Sequence, residues 1–128
     1  MMAELELTGA AVYVLCMALV ALGLFGLALK RNLIKIIISL GIIETGINLF
    51  IIAIGYSWGG TAPIFTGMPG GVGPAAPFVD PIPQALTLTS IVIGASVTAL
   101  ALGIAIRLHN ATHSFNADEV GDRTGVKP

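Results

Sequence analysis

Charge is what this chain has least of. Only 10% of its 128 residues are Asp, Glu, Lys or Arg, against roughly 25% in an ordinary soluble domain. Six basic and seven acidic side chains leave a net charge of −1. Nothing in that balance suggests a nucleic-acid partner or an acidic substrate. Cysteine is down to one residue, Cys16. A disulfide within the chain is therefore impossible, and a Cys-based metal site has no partners. Cys16 lies inside an apolar run and is expected as a small packing residue. Also absent are a phosphate-binding Gly loop between strand and helix, a Cys cluster for an iron–sulfur centre, a nucleophile triad and paired carboxylates. His109 and His113 stand four apart, too few ligands for a metal site. No cofactor, no metal and no catalysis by this chain alone are expected.

What is present is apolar. Hydrophobic residues make up 55% of the chain, and the mean hydropathy is +0.94. Apolar runs longer than 18 residues argue for an all-α integral membrane protein. Three transmembrane helices are expected at about residues 8–29, 33–56 and 83–108. The first, at ~1.5 Å per residue, reaches ~33 Å and can cross a ~30 Å hydrocarbon core. No Lys or Arg precedes it, Glu4 and Glu6 do, and it exceeds the usual signal-peptide core of roughly 7–15 residues. It is therefore kept as a span. Residues 1–110 read as a single three-helix membrane domain, and 111–128 as a polar cytoplasmic tail, exposed to water and flexible.

Residues 57–82 form a long connection rich in Gly and Pro, which excludes a regular helix. Its only charge is Asp80. That apolarity suits a segment folded on the membrane surface or against a partner better than a soluble tether. The basic residues set the topology. Lys30, Arg31, Lys35, Arg107, Arg123 and Lys127 place the first turn and the tail in the cytoplasm, and the N-terminus and long loop outside. The implied location is the cell membrane, as a multi-pass protein in contact with the lipid bilayer.

Glu44 stands eleven residues into the second span, ~16 Å deep and close to the midplane. An acid there is unfavourable by about 2.5–3.5 kcal/mol on insertion scales. Intramembrane ionisable residues mark proton or ion pathways. The alternative is a permanently protonated Glu that hydrogen-bonds a neighbouring helix.

At ~100° per residue, Ile37, Gly41, Glu44, Asn48, Ile51 and Gly55 share one stripe, with Thr45 at its border. Glu44, Asn48, Thr45 and Gly41 are the candidate proton or ion pathway. Lys35, Ser39, Ile42 and Gly46 lie opposite, a face suited to a different helix. Span three carries two small-residue stripes. One holds Thr87, Ser90, Gly94, Thr98, Ala101 and Ala105, of which Thr87, Ser90 and Thr98 are possible partners for Glu44. The other holds Ala85, Thr89, Ser96 and Gly103. A helix small on two faces is expected between other helices, so the chain reads as one piece of a larger membrane complex. The hydroxyls could instead bond only their own helix carbonyls.

Two runs carry a family resemblance. NLIKIIISLGIIETGINL, residues 32–49, resembles the second helix of the K/4L-type small subunit of respiratory complex I. DPIPQALTLTSIVIG, residues 80–94, resembles the third helix of the C subunit of Mrp-type multisubunit sodium/proton antiporters. Such modules also occur in complex I-related membrane-bound hydrogenases and sulfur reductases. The resemblance covers roughly residues 8–110. It implies a three-helix, non-redox subunit that packs between larger proton- or sodium-translocating subunits. Glu44 matches the buried glutamate of the K/4L second helix. The glutamate those subunits carry on the third helix is missing, and Thr87, Thr89 and Ser90 stand in its place. Asp80, Pro81, Pro83 and Gln84 match the antiporter signature.

The resulting expectation is a non-redox membrane subunit of a multisubunit sodium/proton antiporter, or of an Mrp-containing respiratory complex. Its partners would be the other membrane subunits, with Glu44 as the buried protonatable group. An assembly spacer, with Glu44 fixing helix register, is the structural alternative. A stand-alone small transporter acting as a homo-oligomer is a third.

Overall fold

The computed structural model describes residues 1–60, 62 and 78–125. Most of the long connection expected at 57–82 lies outside the described residues. Four helices are seen among them: α1 (Met2–Leu29), α2 (Leu33–Gly55), α3 (Pro81–Thr112) and α4 (Ala117–Thr124). The first three are long and apolar enough to cross a membrane.

Local chemistry sets the boundaries. The Asn32 side chain accepts from the Ile34 N–H at 3.0 Å and starts α2. Asp80 does the same for α3, accepting from Ile82 N at 3.0 Å, with Pro81 in the first turn. Pro suits that position because its missing N–H would have no intrahelical partner. Helix α3 closes at His113, which takes the left-handed conformation at φ 55°.

Helices α1 and α3 run past their expected spans. Thirty-two residues make α3 ~48 Å long, more than a ~30 Å core needs, so it tilts or projects.

Helix α2 lies between α1 and α3, which make no extensive contact with each other. The three form a row. The α1 side of α2 is the face carrying Ser39 and Gly46, as the periodicity predicts. Gly46 has Val20 Cγ2 2.8 Å, and the Cys16 carbonyl and Val20 nitrogen 3.1 Å, from where a β-carbon would stand. Across the same seam Gly23 takes Ile43 and the Ser39 carbonyl, and Gly26 takes the Ser39 side chain. In lipid, helices associate through close packing of this kind rather than through a hydrophobic driving force. Cys16 is 1% exposed, the packing residue expected of it. Further along, the Tyr13 hydroxyl donates to the Ala53 carbonyl at 3.2 Å, and its ring meets Phe50 edge-on at 5.8 Å.

The polar tail is not a free segment up to Gly125. It turns back at His113 and runs antiparallel past the α1–α2 turn. Leu33 N donates to the Phe115 carbonyl, and Ala117 N to the Arg31 carbonyl, each at 2.8 Å. Helix α4 then packs with Val120 buried. Asn116 caps it, Asp118 and Glu119 sit in its first turn and Arg123 in its last, each sign matched to the helix dipole. Arg31 pairs with Asp118, both exposed. Arg123 donates to the Thr112 carbonyl at 2.7 Å. His109, considered above with His113, stacks on Phe115 at 4.0 Å instead. The expectation of a flexible tail missed these backbone bonds because they join positions remote in sequence.

Candidate functional site in the groove between α2 and α3

Glu44 is the central residue of α2 and is half-buried. It faces α3 across a groove of about 370 Å³. From α2 the groove is lined by Ile37, Leu40, Gly41, Ile43, Glu44, Ile47 and Asn48, and from α3 by Ser90, Ile93, Gly94, Val97, Thr98 and Ala101. The stripe predicted for α2 and the first stripe predicted for α3 therefore face each other. The stripes are brought together lower down by Gly55, where a β-carbon would stand 2.6 Å from the Pro83 ring. The second α3 stripe is unused among the described residues. Ala85, Thr89, Ser96 and Gly103 are exposed, and a side chain at Gly103 would meet nothing within 4 Å.

The groove walls are apolar, but four polar side chains open into it: Glu44, Asn48, Ser90 and Thr98. Asn48 is only 8% exposed, and its Oδ1 has no hydrogen-bond partner among the described residues. A buried amide oxygen left unpaired costs about 1–3 kcal/mol, so its place beside an acid is informative.

The hydroxyls divide in two. Ser39, Thr45, Thr87, Thr89, Ser96 and Thr112 each donate to the carbonyl four residues back. Ser90 and Thr98, the two on the groove wall, make no such bond among the described residues. Their donors remain available to whatever enters the groove.

Glu44 has no ion-pair partner among the described residues. Its carboxyl group lies over Gly94. A β-carbon built on Gly94 would overlap the carboxyl carbon and both oxygens. The α3 backbone thus receives the acid where any other residue would hold a side chain.

Of the residues singled out from sequence, Glu44, Gly41, Asn48, Ser90 and Thr98 come together here. Thr45 does not line the groove; it is exposed, and its hydroxyl is used by Gly41. Thr87 is buried at 3% exposure, with its hydroxyl on Pro83. In the sequence Gly94 reads only as a small member of a stripe. The signal available for it was the i, i+4, i+8 run Ser90–Gly94–Thr98, with its gap in the middle.

Row and groove together define a class of protein. It is a three-span membrane protein whose central helix carries one acid at mid-length, seated against the next helix. Residues 11–122 match the family model described as NADH-ubiquinone/plastoquinone oxidoreductase chain 4L, and the chain belongs to that family. It is 39% identical over 92 residues to the C subunit of a probable K(+)/H(+) antiporter of Rhizobium meliloti, covering 72% of this chain and 78% of that one. It is 35% identical over 94 residues to the C subunit of the Na(+)/H(+) antiporter of Bacillus subtilis, covering 73% and 78%. Among solved structures, a chain of the membrane-bound sulfane sulfur reductase, an archaeal respiratory membrane complex, superposes with a TM-score of 0.75. It is 46% identical, with 84% of this chain and 94% of that one covered. Both resemblances read from the two sequence runs hold, and the chain is a multi-pass membrane protein.

Proposed function

We propose that this chain is the small non-redox membrane subunit of a multisubunit antiporter exchanging a metal cation for protons, or of a respiratory complex built on such a module. In that assembly Glu44 is the group that takes up and releases a proton. The relatives support the first half, since those described are antiporter C subunits and a respiratory membrane complex. One observation carries the second half. The mid-membrane acid opens into a groove with an unpaired buried amide oxygen and two unengaged hydroxyls. These groups can line up waters to and from a carboxyl, which an acid serving only as a spacer does not need.

The chain performs no catalysis alone. Its partners are other membrane subunits, which the unused face of α3 is suited to meet. The cell membrane is its location, and the basic residues set the turn between α1 and α2 and the α4 segment on the cytoplasmic side. Glu44, Asn48, Ser90 and Thr98 form the pathway segment within this chain. The next proton station lies on another subunit or on bound water, since α3 has no acid between Pro81 and Thr112.

The seating of the carboxyl against Gly94 favours a second reading, that of an assembly spacer in which a neutral Glu44 fixes register. Glu44→Gln separates the two, because Gln keeps size and hydrogen bonding but does not titrate. Under the proposal the variant complex assembles and loses coupled transport. Full transport by the assembled variant would leave the spacer reading standing and remove the proton role.

A further inference from the structure

We propose that Gly94 is a positioning residue for Glu44: the missing side chain on α3 is the seat that holds the carboxyl group in the groove. Glycines in membrane helices ordinarily let another helix backbone approach. Gly46 does this, receiving Cys16 and Val20 of α1. Gly55 receives a proline ring, and Gly41 and Gly103 have open space. Among the described glycines, Gly94 alone has its vacancy filled by an ionisable group, with all three carboxyl atoms inside it.

The helix backbone at Gly94 has its N–H engaged in α3, and no side-chain donor holds Glu44 among the described residues. Shape therefore fixes the carboxyl where hydrogen bonds do not. Ser90 and Thr98 stand one turn to either side on the same wall. Their hydroxyls flank the seat and make no helix-carbonyl bond. A carboxyl held in this way can gain or lose a proton without first breaking a protein hydrogen bond. Any side chain at position 94 would turn the acid out of the seat and away from those hydroxyls.

The transport consequence rests on Glu44 being the protonatable group, whereas the seat does not. The test uses the assembled complex with Gly94→Ala, alone and combined with Glu44→Ala. Thermal unfolding midpoints form a double-mutant cycle. Gly94→Ala is expected to lower the midpoint when Glu44 is present and not to lower it in the Glu44→Ala background, where the short side chain does not reach the seat and only the helix-propensity gain of alanine is left. An equal lowering in both backgrounds overturns the seat. Coupled transport is then followed against pH. Gly94→Ala is expected to cut the rate about tenfold or more and to displace the pH profile. Gly55→Ala, which strains the same helix pair at Pro83 away from the acid, is expected to leave the profile in place. Coupling in the cycle with wild-type transport would uphold the seat and defeat the proton reading. If Gly94→Ala does not assemble, adding Glu44→Asp, an acid one methylene shorter, is expected to restore assembly; no restoration overturns the proposal.

Discussion

Gly46→Ala tests whether close backbone packing holds α1 to α2. The new methyl group would stand 2.8 Å from Val20 Cγ2 and 3.1 Å from both the Cys16 carbonyl oxygen and the Val20 nitrogen. The first contact can yield by a rotamer change. The other two are backbone, so the helices must part. Overpacking of this sort costs typically about 1–3 kcal/mol. Alanine also gains helix propensity over glycine, by about 1 kcal/mol in water. Gly103→Ala receives the same gain with nothing within 4 Å of the added carbon, so the difference between the two variants isolates the packing term. Cys16 supplies the assay. It is the sole thiol of the chain and sits in that seam at 1% exposure. Its reaction with N-ethylmaleimide reports the population in which α1 has opened from α2, provided reclosing is faster than labelling. The difference predicts labelling about 5- to 150-fold faster in Gly46→Ala than in Gly103→Ala. Equal rates would refute the packing argument for this seam.

Two further outcomes follow from the groove and the tail. Asn48→Leu removes a buried amide whose oxygen is unpaired, so the assembled complex should keep its thermal midpoint while coupled transport falls; parallel losses would mean that Asn48 serves packing. Val120→Asp places a charge at a site 7% exposed, so α4 should undock and trypsin should cleave after Arg31 much faster than in the wild type; unchanged cleavage would show that the backbone bonds hold the tail unaided.

Much of this architecture is legible in the residues. The three spans follow from apolar runs with few charges, and the two faces of α2 follow from a 100° step. The same step sorts the α3 small residues into the stripe that meets Glu44 and the one left uncovered. Thr45 shows the limit of adjacency. Next to Glu44 in sequence, it is turned by one helical step to the exposed side. Gly94 shows the limit of periodicity, which names a face but not the height at which two helices meet. The α4 docking was illegible for a different reason. It depends on two backbone hydrogen bonds between positions remote in sequence, the Arg31–Asp118 and Arg123–Thr112 contacts and one buried valine, and none of these leaves a periodic trace.

Those two bonds also order events in time. The turn at Arg31 and Leu33 is made when only the first two helices exist, yet its partners, Phe115 and Ala117, follow the third helix in synthesis. Until then the Leu33 N–H and Arg31 carbonyl have only water or headgroups to satisfy them. The clasp therefore closes last, and its presence marks a chain in which all three helices have been inserted with both ends of the basic side in register.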